Sequence, residues 1–184
     1  MLNTIAALLF VILASASYAQ ELSPGSTMHR TQAGALDAAG LALAESTNGG
    51  FSLQMPCTFN DFSIPAKDES KPVKNIYALG CRRPDQSRFV AMRYEYRTED
   101  DAQDSFRNFS TNSPWRDREI VQSTFRGMPA VTITIDDGKQ CAFARTLRGK
   151  RDNFSMIVTA PATSCSGLAA MSQQFFESLD VTSW

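Results

Sequence analysis

The sequence predicts an α+β domain, an antiparallel sheet of about six to seven strands flanked by helices in an α/β/α sandwich. Three observations predict it. Most segments from Phe51 to Thr159 alternate apolar and polar residues with a period of two, as half-buried strands do. The turns between them are short, and short hairpin turns require antiparallel neighbours. Two stretches instead repeat their apolar residues every three to four positions and read as helices packed beside the strands.

The elements follow in order. Phe51, Leu53 and Met55 alternate with Ser52 and Gln54 in a strand that Pro56 stops. Residues 58–74, with Pro65, Pro72 and the run KDES, read as a polar connection. Asn75–Arg83 and Arg88–Arg97 form a hairpin around Pro84-Asp85-Gln86-Ser87, and Val90, Met92, Tyr94 and Tyr96 share one face of its second strand. Thr98 or Asp100 caps the first helix. Glu99, Asp100, Asp101 and Asp104 lie in or near its first turns, where the helix dipole favours negative charge. Ala102, Phe106 and Phe109 give this helix one apolar face, and Asn112-Ser113-Pro114 ends it. Four strands follow: Glu119–Phe125, Ala130–Ile135, Gln140–Leu147 and Asn153–Thr159. Their turns are Arg126-Gly127, Asp136-Asp137-Gly138 and Arg148-Gly149-Lys150-Arg151. The last helix runs from Ser166 to Leu179 with Leu168, Met171, Phe175 and Leu179 as its buried stripe.

The N-terminal part reads differently. Thr4 to Ala16 is an apolar run too short for a membrane span, followed by Ser17 and Ala19 at the small positions of a cleavage site before Gln20. Residues 1–19 are therefore expected to be a signal peptide, leaving no transmembrane span once it is cleaved. Residues 20–50 read as a flexible leader with a weak helical signal from Ala33 to Glu45, and 51–184 as one domain. The expected location is periplasmic or extracellular.

Export gives the cysteines a meaning. Cys57 and Cys81 lie 24 apart, as do Cys141 and Cys165, while 60 residues separate the two pairs. In an oxidising compartment this even set predicts two local bridges, Cys57–Cys81 and Cys141–Cys165. The rival, a metal site, lacks Cys-x-x-Cys spacing, and the single His cannot complete the usual zinc ligand sets.

Composition bounds the function. With 18 Lys and Arg against 19 Asp and Glu the 184-residue chain has a net charge of −1, without the basic field that nucleic-acid binding needs. The only imidazole is His29, in the leader, so Ser-His-Asp and Cys-His catalysis have no base in the domain. Phosphate-loop and dinucleotide glycine motifs are absent, and no cofactor is expected. The acidic run Glu99, Asp100, Asp101, Asp104 is explained as helix N-terminal charge, and Asp136-Asp137-Gly138 as a turn.

The phrases FSLQMP, DDAQDSFRNF, FRGMPA and QQFFESLDV, in this order, open the first strand, centre the first helix, turn the first hairpin of the meander and close the last helix. This order resembles the PsbP-like superfamily of small α/β/α sandwiches, over about residues 51–181. That superfamily includes photosystem II extrinsic proteins, periplasmic proteins of the DcrB type and a Ran-binding nuclear protein. The resemblance implies a binding, assembly or accessory role outside the cytoplasm and, having no shared catalytic motif, supplies no site residues. Paired cysteines are not general in that superfamily.

Two features bear on binding. Arg82 and Arg83 follow Cys81, and Arg145, Arg148, Lys150 and Arg151 crowd the last hairpin; gathered at one end of the sheet they would form a patch for an anionic ligand. Tyr94, Tyr96 and Trp115 read as packing rather than as a ligand platform. Asn108-Phe109-Ser110 and Asn153-Phe154-Ser155 match the glycosylation pattern. The expectation is a non-enzymatic binding or accessory protein whose partner is a protein or an anionic envelope component. The alternatives are a small secreted hydrolase using carboxylates and an inhibitor or immunity-type protein.

Overall fold

A computed structural model describes residues 25–32, 36–66, 68–111 and 118–182. The expected signal segment and Trp115 lie outside them. Eleven strands and two α-helices are present among these residues. The strands are β1 (Thr27–Gln32), β2 (Ala42–Glu45), β3 (Phe51–Met55), β4 (Phe59–Pro65), β5 (Val73–Arg82), β6 (Arg88–Tyr96), β7 (Arg118–Phe125), β8 (Met128–Asp136), β9 (Gln140–Arg148), β10 (Asp152–Pro161) and β11 (Asp180–Val181). The helices are α1 (Glu99–Thr111) and α2 (Leu168–Glu177). The main sheet has eight strands in the order β1-β4-β5-β6-β10-β9-β8-β7, all antiparallel, and a second sheet runs β11-β3-β2.

Alternation sorts the side chains of the main sheet into two cores. Leu79, Cys81, Phe89, Ala91, Leu147, Phe154, Met156 and Val158 face one way, where α2 and the strand β3 cover them with Phe175, Phe176, Leu53 and Met55. Ile76, Ala78, Met92, Tyr94, Tyr96, Ala144 and Ile157 face the other way, under Ala102 and Phe109 of α1. Val131, Ile133 and Ile135 extend this second core beneath Phe106. The α+β class is thus as the sequence predicts, with Val90, Met92, Tyr94 and Tyr96 on one face.

Three expectations are corrected. The segment 20–50, read as a leader with a helical signal from Ala33 to Glu45, contributes β1 along β4 and β2 along β3. Alanine at Ala42 and Ala44 suggests helix by propensity. Both are buried in the second sheet, and tertiary pairing overrides the local preference. Second, the polar connection contains β4, whose Asp61 is buried and accepts hydrogen bonds from the Thr47 amide at 2.7 Å and the Ser46 hydroxyl at 3.3 Å. An inward carboxylate masks a strand pattern. Third, the main sheet has eight strands rather than six or seven, because β1 and β4 join it while β3 leaves for the second sheet.

Both disulfides join the pairs that the spacing predicts, Cys57–Cys81 and Cys141–Cys165. The first ties the β3–β4 connection to β5, and the second ties the start of β9 to the segment before α2. No described helix is long and apolar enough to cross a membrane.

Candidate functional site

The strand directions decide which basic residues can meet. Arg82 ends β5 and lies opposite Arg88, whereas Gly149, Lys150 and Arg151 form the turn before β10. Arg88 pairs with Thr159, nine residues along the chain from Lys150, so the two groups lie at opposite ends of the sheet, about 30 Å apart. The six basic residues proposed from sequence as one patch are therefore not brought together. Arg83 turns to Asp85 at 3.4 Å and to the Met171 sulfur. Arg145 is consumed on the α2 face: its guanidinium reaches Glu177 at 2.8 Å and lies over the Phe125 and Phe176 rings.

Arg148, Lys150 and Arg151 do share one end. There Arg151 donates to the Arg97 carbonyl, the Tyr96 amide donates to the Arg151 carbonyl at 2.9 Å, and Arg97 Nε donates to the Lys71 carbonyl at 3.0 Å. These bonds bring Lys71 and Arg97, which the sequence reading did not single out, beside the hairpin.

The first turn of α1 forms the opposite wall. The Thr98 hydroxyl caps the helix, accepting from the Asp101 amide at 3.1 Å and donating to the Asp101 carboxylate at 2.6 Å. The helix is held to the sheet by Asn153 Nδ2, which donates to the Ala102 carbonyl at 2.9 Å, and by the Tyr96 hydroxyl, 2.6 Å from Ser105 Oγ. Ala102 is fully buried there, and its small size lets the helix approach closely. Glu99 and Gln103, one turn apart, then face Arg148, Gly149 and Lys150 across an open cleft of about 470 Å³ with Met128 in its lining. Gly149 lets the turn pass close to Asp152: a Cβ there would crowd the Asp152 carboxylate and force that side chain to shift. Arg148 is half-buried, yet among the described residues no ion pair engages Arg148, Lys150 or Glu99.

A second polar group lies on the other face of the sheet. Glu95 accepts from Lys74 at 2.8 Å, Asn75 at 2.6 Å and the Tyr77 hydroxyl at 3.3 Å. Beside it Arg93 binds Asp152 at 2.6 Å and donates to the Gly49 carbonyl at 2.7 Å. Burial alone would raise the Glu95 carboxyl, but hydrogen bonds from Lys74, Asn75 and Tyr77 outweigh it and hold the group below its usual range. Burial, then the Glu95 charge, pushes the Tyr77 phenol up. Asp85 and Asp137 also sit below the ordinary carboxylate range, held mainly by bonds from Ser87 and from the Gln140 amide.

Other sequence candidates resolve simply. Tyr94 and Tyr96 are buried under α1. Asn153 is buried and anchors the helix, so its glycosylation pattern is inaccessible in the fold. His29 lies in β1 rather than in a flexible or partly helical leader. Asp136 and Asp137 bind the turn amides of Gly138, Lys139 and Gln140.

No family model matches the chain, and no curated protein matches it. Among solved structures, one of a Bacteroides thetaiotaomicron VPI-5482 protein is 14% identical, with a TM-score of 0.42, covering 72% of this chain and 45% of that one. The solution structure of cyanobacterial PsbP (CyanoP) from Synechocystis sp. PCC 6803 is similar at 13% identity and a TM-score of 0.47, covering 82% of this chain and 97% of that one.

Proposed function

We propose that the chain is an exported, non-enzymatic binding protein that holds an anionic group of its ligand in the cleft between α1 and the β9–β10 hairpin. The observation that carries this reading is Arg148. A half-buried guanidinium usually has a carboxylate partner, because desolvating a charge without one is costly. Here Arg148 and Lys150 line an open cleft and neither makes an ion pair among the described residues. The two disulfides suit an oxidising compartment.

The test is calorimetric titration of the chain beginning at Gln20 with inorganic phosphate at low ionic strength. The reading expects saturable binding that weakens with added salt and disappears in Arg148→Glu/Lys150→Glu. Unchanged binding by that double variant contradicts it.

A further inference from the structure

Resting on the binding reading above, we propose that the ligand of this cleft is a small zwitterion, bearing an acidic group for Arg148 and Lys150 and an ammonium for Glu99. The cleft is lined by opposite charges: Glu99 on the first turn of α1, Arg148 and Lys150 on the hairpin. No ion pair joins these walls, so the charges face the space between them instead of neutralising one another. A plain anion seated on Arg148 and Lys150 meets repulsion from Glu99. An ammonium a few ångströms from the acid converts that repulsion into attraction. Gln103, one turn beyond Glu99, adds an amide that can donate or accept, and Met128 offers an apolar surface to a short carbon arm. The volume of about 470 Å³ is that of a small-molecule site rather than of a macromolecular groove.

Two probes of matched shape separate the possibilities: phosphoethanolamine, and ethyl phosphate, which keeps the phosphate and the two-carbon arm but lacks the amine. Titration of the chain beginning at Gln20 is expected to show phosphoethanolamine binding about three- to fivefold more tightly, the yield of one solvent-facing charge pair. Glu99→Gln should abolish that preference while ethyl phosphate binds at least as well as before. Glu99 is exposed, so this exchange leaves the fold intact, and an amide NMR spectrum verifies it. Equal affinity of the two probes for the native chain, or a preference that survives Glu99→Gln, overturns the zwitterion and leaves the anion site standing. Failure of both probes to bind overturns the anion site itself.

Discussion

Asn153 and Arg148 sit directly opposite each other on β10 and β9, and the pair couples the helix to the cleft. Asn153 is buried and its amide nitrogen holds the Ala102 carbonyl of α1, while Arg148 lines the cleft that this helix closes. The position of Glu99 relative to Arg148 thus depends on a hydrogen bond one register pair away. Asn153→Ala removes the side-chain donor that ties the Ala102 carbonyl of α1 to the sheet and should cost roughly 0.5–1.5 kcal/mol, the net worth of one hydrogen bond. Urea denaturation should show that loss, and phosphate affinity should fall with it. An unchanged midpoint contradicts the anchoring role.

The disulfides make a separate prediction. Each bridge closes a loop of about 25 residues, worth about 3.5 kcal/mol through restriction of the unfolded chain. Cys57→Ala/Cys81→Ala and Cys141→Ala/Cys165→Ala should each lower stability by about that amount in non-reducing denaturation. Peptide mapping of the native chain should recover only these two cystine pairs.

The strands β1 and β2 make the N-terminal segment part of the fold. A chain beginning at Gly49 lacks β1 and β2, one of the two partners of β4 and of β3, and the Ser46 and Thr47 groups that satisfy Asp61. It should have a lower denaturation midpoint than a chain beginning at Gln20, with faster amide exchange in β3 and β4. Equal midpoints and equal exchange show that the segment is dispensable.

Legibility in the sequence followed local pattern and ended where long-range packing began. Val131, Ile133 and Ile135 alternate cleanly and lie where expected, and Leu168, Phe175 and Leu179 are buried as the helical spacing predicts. The bridges were legible because each joins cysteines close in sequence. Strand β4 was not legible, because Asp61 points inward in a segment that also carries Asn60 and Pro65. The cleft was legible only in half. Arg148 and Lys150 stood out as a basic hairpin, but Glu99 and Gln103 reach them only because α1 folds back over β9 and β10. Arg82 shares the basic character of that hairpin but lies at the far end of the sheet, which only strand direction decides.

Acid should weaken the fold partly through Glu95. Its folded pKa lies below the ordinary value of 4.5, so the folded state binds its proton less readily than the unfolded chain does. The stabilisation is complete above that ordinary value and is lost as pH falls through the depressed folded pKa. Glu95→Gln should therefore flatten the acid limb of the stability profile below about pH 5. An acid limb identical to that of the native chain contradicts this role.

The cleft itself is tested most directly by mapping phosphate binding onto the backbone with amide NMR of the chain beginning at Gln20. The account predicts saturable shifts concentrated at residues 99–103 and 148–151, with Asp101, Gln103, Gly149 and Lys150 moving together at one apparent affinity. Shifts concentrated instead around Arg82, Arg83 and Arg88 at the opposite end of the sheet, with 148–151 unmoved, would contradict it.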